Sequence, residues 1–363
     1  MVRIRKRRPA MSFVGLLQML CLILTAPLMN GEPRLVPIAT YKLGAPSFFS
    51  NTEGWASGPE NSLWRTKDGG RTWTEIKGGF EAGDSRSEVH GVYFQSAVEA
   101  WLLLAKPDDL LDSKQRLVVT YDGGLTWKQE SLPSVHWTGE SLFSRGPKGS
   151  LWLGGENSRR GDSPVEGMDC PQRVKGITAV PVLFSRISPG AGWEQRELPV
   201  QNGCPVTMLQ FGDGRRGVAI AGSAIMFTAD GGKRWMKSVV LSSGKSAPIS
   251  RPVSLQLRDG EGWIGCDNGE ILHTTDGGEH WHEAVEPGAI WSKGGGFGTW
   301  GRVYFTGPDV GFTLGASGEP FETSNRAKTW IKIATPERIV GLSCAMNQCW
   351  FLSNDKLYGI QER

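Results

Sequence analysis

The sequence predicts an all-β fold, a seven-bladed β-propeller closed by an N-terminal strand in the last blade, and three observations carry that prediction. The first is a recurring box. TKDGGRTW ends at Trp73, TYDGGLTW at Trp127, TADGGKRW at Trp235 and TTDGGEHW at Trp281, while TSNRAKTW ending at Trp330 is a worn copy without the Asp or the glycines. The second is the period. Asp68, Asp122, Asp230 and Asp276 stand 54, 108 and 46 residues apart and Asn325 follows after 49. The doubled gap asks for a degenerate copy, and Ser185 to Trp193 (SRISPGAGW) supplies a turn and a Trp there. Units of about 50 residues mean a propeller or a solenoid. The third is an imbalance at the ends: the tail offers only three strands, and Leu35 to Lys42 (LVPIATYK) is a strand with no partner of its own.

Each box reads as a tight turn from strand C to strand D. The Gly-Gly pair permits positive backbone dihedrals, and the Asp side chain accepts hydrogen bonds from the turn's own amides. The Trp then opens the next strand and buries its ring against the neighbouring unit. Asp68, Trp73, Asp122, Trp127, Asp230, Trp235, Asp276 and Trp281 are therefore structural residues. A catalytic carboxylate is not needed four times, and one carboxylate per turn makes a poor calcium cage.

In chain order, blade one takes strands A to D at 47–50, 54–57, 63–66 and 72–76. Blade two repeats them at 91–95, 100–104, 117–120 and 126–130. Blade three, the irregular one, uses 140–144, 151–154, 180–186 and 193–198, with an insertion at about 155–178. Blades four, five and six follow at 206–239, 253–284 and 302–333. The tail gives 339–344, 349–352 and 357–360, and 35–42 completes it as the outer strand. That closure hides an edge that would otherwise invite aggregation. A second aromatic column falls on strand B at Trp55, Trp101, Trp152, Trp263, Phe312 and Trp350, with Val218 as the exception. These are core wedges. His280 and His282 flank a box Trp at strand spacing, too few ligands for a metal, and no cofactor is expected.

The boxes resemble the Asp-box, or bacterial neuraminidase repeat, S/T-x-D-x-G-x-T/S-W. The longer frames EGWASGPENSLWRTKDGG, RGVAIAGSAIMFTADGG and EGWIGCDNGEILHTTDGG resemble the unit of the photosystem II stability/assembly factor propellers, and the likeness runs from about residue 34 to 360. This resemblance implies a seven-bladed propeller acting as a non-catalytic assembly factor on the luminal or periplasmic side of a membrane. Fold carries over better than role.

Residues 1–30 contain five basic residues and no acidic one, and a largely apolar run follows from Ala10 to Met29. That is the layout of an export signal or an N-terminal membrane anchor, with the propeller on 34–363. Without it the formal charge falls from +3 to −2, so bulk charge gives no support for nucleic-acid binding. Outside the cytoplasm, periplasmic or extracellular, disulfides become available. Cys344 and Cys349 bracket a short hairpin, Cys170 and Cys204 could tie the insertion to the next blade, and Cys266 stays free in a buried strand.

In a four-stranded blade the C–D turns share one face with the A–B turns, and the B–C and D–A loops share the other. The long loops 77–88, 105–116, 155–178, 240–251 and 285–299 all belong to the second face. Clustered long loops are commonly functional. That face holds Trp137, Trp291, Trp300, Arg86, Lys106, Arg159, Arg160 and Lys293, residue types suited to anchoring a protein partner. The first expectation is a monomeric scaffold binding a membrane-associated protein. The alternative is a sialidase-like or other glycoside hydrolase with a glycan ligand. The sialidase resemblance implies an F/Y-R-I-P motif before the first box, which is absent. Paired carboxylates such as Asp108 or Asp109 with Glu140 are the remaining catalytic candidates.

Overall fold

The period folds into seven antiparallel sheets in which strand order follows chain order. The computed structural model describes residues 33–59, 62–76, 88–105, 116–133, 143–160, 177–188, 190–200, 204–241, 251–285, 302–315 and 317–361. Blade one consists of Ser47–Phe48, Gly54–Ser57, Leu63–Thr66 and Thr74–Glu75, and blade two of Glu88–Phe94, Ala100–Ala105, Arg116–Thr120 and Lys128–Glu130. Blade three uses Phe143–Arg145, Leu151–Arg160, Ile177–Arg186 and Glu194–Arg196. Blade four uses Val206–Phe211, Gly217–Ala221, Ala224–Thr228 and Met236–Lys237. Blade five has Pro252–Arg258, Glu261–Cys266, Ile271–Thr274 and His280–Val285; blade six has Val303–Phe305, Gly311–Leu314, Pro320–Thr323 and Ile331–Lys332. Blade seven combines Gly341–Ala345, Gln348–Leu352 and Lys356–Ile360 with Leu35–Thr40 from the start of the propeller. That strand pairs antiparallel with the last one, from Leu35 opposite Ile360 to Thr40 opposite Lys356.

Three boundaries differ from the sequence expectation. The box Trp precedes strand D in every blade that has one except blade five, and its indole folds back onto its own turn in either case: Trp73, Trp127 and Trp281 Nε1 donate to the carbonyls of Gly70, Gly124 and Gly278 at 3.1, 3.2 and 3.0 Å. Strand D of blade four ends at Lys237, and Val239–Leu241 crosses over to pair in parallel with His280 to His282, giving blade five a fifth strand. It covers Trp281, which is fully buried. The insertion of blade three is in part strand: Leu151–Arg160 and Ile177–Arg186 stay in register from Leu151 opposite Arg186 to Arg160 opposite Ile177, and 161–176 lies outside the described residues.

Blade contacts are made by the aromatic columns. A strand-A Phe of one blade lies on the strand-B Trp of the preceding one: Phe48 on Trp350 at 3.5 Å between ring centroids, Phe94 on Trp55 at 4.8 Å, Phe211 on Trp152 at 4.9 Å and Phe305 on Trp263 at 3.8 Å. The box Trp of the later blade closes over the same wedge, as Trp235 does edge-on against Trp152 at 6.0 Å. All six strand-B aromatics are buried, as is Val218, which packs with Leu257 where the others have Trp and Phe. Each wedge removes roughly 150–250 Å² from water, about 4–6 kcal/mol at ~25 cal/mol/Å². Around the axis, the edges of the inner strands are satisfied from the preceding blade. Phe211 N donates to Ser144 Oγ, Leu257 N to Gln210 Oε1, and Val303 N to Ser254 Oγ, at 3.2, 3.0 and 3.0 Å.

Candidate functional site

The turn face is built by the boxes. In blade two Thr120 Oγ1 donates to Asp122 Oδ1 at 2.8 Å and accepts Gly124 N at 2.8 Å. Asp122 Oδ1 accepts Thr126 N at 2.9 Å, and its Oδ2 accepts the Thr126 hydroxyl at 2.6 Å. These bonds, the Thr126 hydroxyl first, hold the carboxyl at about 2. At Asp68, Asp230 and Asp276 burial pushes the pKa up, but the bonds from Thr72, from Arg234 and Lys233, and from His280 outweigh it, so all three titrate below the usual range. The first box Gly donates its N–H to the A–B turn, as Gly123 does to Val98 O at 2.9 Å and Gly277 to Gly260 O at 2.8 Å, so the two turns form one surface. The second Gly sits on the preceding blade's wedge. Gly232, at φ +82°, leaves no room for a side chain: a Cβ would lie 2.1 Å from Trp152 Cη2.

The worn copy in blade six keeps this geometry by other means. Asn325 Oδ1 accepts Thr323 Oγ1 and Thr329 N at 3.0 and 2.9 Å, its Nδ2 donates to Thr329 Oγ1 at 2.8 Å, and Ala327 stands at the glycine position with φ +63°. In blade five His280 replaces the box Thr, its Nδ1 2.8 Å from Asp276 Oδ2, and Glu279 brings a third ligand atom within 4.8 Å. The group is an exposed variant of the same turn bond.

Blade three is different in kind. Counting back from Trp193 puts Arg186 in the box Thr column, and the strand register puts Arg145 where other blades have the stacking Phe. Arg186 is 2% exposed, its guanidinium 4.5 Å from the Trp101 ring and 4.8 Å from the Trp193 ring, and its Nη1 donates to Glu130 Oε2 at 2.7 Å. Its Nε and Nη2 have no acceptor among the described residues. Arg145 pairs with Glu99, which also accepts Trp101 Nε1 at 3.1 Å. Tyr121 meets Trp101 edge-on at 6.3 Å, and burial, then the Glu130 charge, pushes its phenol up. This seam of two arginines, two glutamates and a tyrosine escaped the sequence expectation, although aligning SRISPGAGW to the box would have put Arg186 in a column otherwise held by Thr.

On the loop-rich face, Arg159 and Arg160 sit at the described end of the blade-three hairpin, opposite Thr178 and Ile177. They are strand residues, not loop residues, because the pairing runs six positions past Gly154. Trp137, Trp291, Trp300, Arg86, Lys106 and Lys293 lie outside the described residues, as do Asp108, Asp109 and Glu140. Cys344 and Cys349 are joined by a disulfide across the blade-seven hairpin. Cys204 is disulfide-bonded, while Cys170, its expected partner, lies outside the described residues. Cys266 is a buried free thiol whose pKa is pushed well up by burial. Among the described residues no helix is long and apolar enough to cross a membrane.

Fold and turns together define a seven-bladed propeller of the neuraminidase-repeat type. Residues 187–287 match the family model described as photosynthesis system II assembly factor YCF48. A solved structure of YCF48 bound to D1 peptide is 17% identical and superposes with a TM-score of 0.56 over 92% of this chain and 97% of that one. YCF48 from Cyanidioschyzon merolae is 15% identical, with a TM-score of 0.54 over 90% and 98%. The GH74 xyloglucanase from Xanthomonas campestris reaches 0.58 at 16% identity, over 90% of this chain and 53% of that one. A sequence search of curated proteins finds no match. The chain thus shares its propeller fold with the YCF48 structures, and within it residues 187–287 carry that family's repeat.

Proposed function

We propose that this chain is an exported, non-catalytic scaffold that binds a protein partner and serves the assembly or stability of a membrane or envelope complex. The observation that carries the reading is the end-to-end likeness to a YCF48 propeller with a peptide bound, joined to the match of that family's repeat. The proposed docking surface is the loop-rich face, where the blade-three hairpin brings Arg159 and Arg160 to the end of an extended two-stranded arm. The tryptophans and basic residues of the neighbouring loops would complete it. The Cys344–Cys349 bridge supports an oxidising compartment, in keeping with the basic and apolar start of the chain.

Glycoside hydrolysis is the second reading, favoured by the likeness to the xyloglucanase, of which about half has no counterpart here. The experiment is an affinity pull-down from native membranes with the wild type and with a Trp291→Ala, Arg159→Ala, Arg160→Ala variant. A membrane protein retained by the wild type and lost by the variant is expected. Recovery of no partner, or of the same partners with both proteins, would overturn the scaffold reading and direct assays to glycans.

A further inference from the structure

The turn face bears a surface of its own on blades two and three. Of the exposed large apolar side chains among the described residues, Val98, Tyr121, Leu125 and Ile187 all belong to the turns of these two blades, with Leu125 71% and Ile187 75% exposed. They are neighbours. Gly123 N bonded to Val98 O places Val98 against the turn that carries Tyr121 and Leu125. Tyr121 and Arg186 both lie on Trp101, and Ile187 follows Arg186 directly. The same columns hold Lys67, Ala229, Thr275 and Ser324 at the Tyr121 position, and Arg71, Lys233, Glu279 and Lys328 at the Leu125 position. In the turn of blade three Gly190 and Gly192 face open space, a Cβ at either meeting nothing within 4 Å.

The exposed charges flanking this patch are mainly basic, with the ionised Asp122 inside it. Lys67 and Arg71 on blade one and Lys148 on blade three are exposed. The acids of the same turns are engaged: Glu53 and Glu99 pair with Arg65 and Arg145, and Asp68 and Asp122 accept hydrogen bonds from their own turns. On blades five and six the same face is mixed: Asp259 and Glu279 are exposed beside Arg258 and Lys328, and Asp309 pairs with Arg326. We infer that the turn face of blades two and three is a second docking site, which takes a peptide segment of a protein partner bearing aliphatic or aromatic residues flanked by Asp or Glu. Burial of the apolar residues supplies affinity, and the basic flanks select for acidic neighbours and against basic ones. The site lies on the face opposite the blade-three arm and does not depend on it.

The test is selection of random dodecapeptides displayed on phage against the full chain. The winning peptide is then synthesised with a fluorophore and its binding read by anisotropy. Expected are clones with paired apolar residues next to Asp or Glu, binding weakened about tenfold or more by Leu125→Glu and by Ile187→Glu, and weakened again by added salt. Val239→Glu and Ile331→Glu, which charge other exposed apolar positions at the rim, and Arg159→Ala with Arg160→Ala should leave it unchanged. Enrichment of basic or of no peptides, or equal loss in the rim variants, would overturn the inference. So would a wild-type dimer in sedimentation velocity that Leu125→Glu dissolves, since the occupant would then be a second copy.

Discussion

Gly232→Ala measures how the ring is held together. Gly232 has φ +82°, and a Cβ placed there falls 2.1 Å from Trp152 Cη2 and 2.5 Å from Cζ2 of the preceding blade. An alanine in the left-handed region costs about 1–2 kcal/mol, and forcing the wedge aside adds about 1–3 kcal/mol. The total is roughly 2–5 kcal/mol. Gly190→Ala is the control: φ is +77°, but nothing lies within 4 Å, so only the backbone cost applies. With an unfolding entropy of ~2.1 cal/mol/K per residue over the unit Pro33 to Glu362, each kcal/mol moves the melting temperature by roughly 1.5 °C. Differential scanning calorimetry should show a fall of about 3–7 °C for Gly232→Ala and about 2 °C for Gly190→Ala. Blade six already places Ala327 in this seat, at φ +63° and within the cluster of Trp263 and Phe305. Equal melting temperatures for the two variants would mean that the Trp152 wedge gives way freely, and the close seat of turn on wedge would not be what joins the blades.

Four further outcomes follow from the same structure. Asp122, held at about 2, contributes stability above its unfolded value of about 3.9 and loses it as pH falls toward 2. Asp122→Asn should therefore lower the urea midpoint at neutral pH and converge with the wild type by about pH 2; a constant difference across that range would refute the assignment. Arg186→Ala breaks a buried pair and should cost about 3–5 kcal/mol in urea unfolding, with strong coupling to Glu130→Gln in a double-mutant cycle; additive losses would show that the pair is not linked. Deleting residues 34–43 removes the outer strand of blade seven, so the product should melt well below the wild type or aggregate, and an unchanged melting temperature would count against closure by that strand. Replacing Cys344 and Cys349 by Ser should cost about 2 kcal/mol for so short a loop, while Cys266 should react with a thiol reagent only on unfolding.

What could be read from the chain was whatever the repeat repeats. Box spacing gave blade number and order, and the strand-B aromatics gave the wedges, because a packing rule applied seven times leaves a periodic trace. The unpaired run at Leu35 stood out for the same reason, as a strand without a blade. Single events leave no such trace. Val239–Leu241 pairs in parallel with a strand some forty residues later, and nothing local in VVL distinguishes that from the end of a strand. Nor did length alone show that the insertion of blade three continues as paired strand to Arg160 and Ile177, since polar residues line one strand and only the partner's β-branched run hints at pairing. The sites proposed on the loop-rich face belong to the same class of non-repeated residues.

Blade three shows why the departures gather in one place. The box Thr, Asp and Gly pair act as a unit: the Thr orders the Asp, the Asp orders the turn, and the glycines let it descend onto the wedge of the blade before. Blade six keeps the geometry without the Asp or the glycines because Thr323 remains to order Asn325. With Arg186 in the Thr column no carboxylate can be ordered from below. The guanidinium itself takes the seat over Trp101, anchored by Glu130, and the turn above it faces open space at Gly190 and Gly192. That turn carries Ile187 outward, in the column that holds Tyr121 in the blade before. Loss of the box in blade three, with Arg186, Ser188 and Pro189 in the Thr, Asp and first-Gly columns, thus goes with three features that the period alone leaves unexplained: a buried arginine, an open turn and an exposed apolar patch over the same seam.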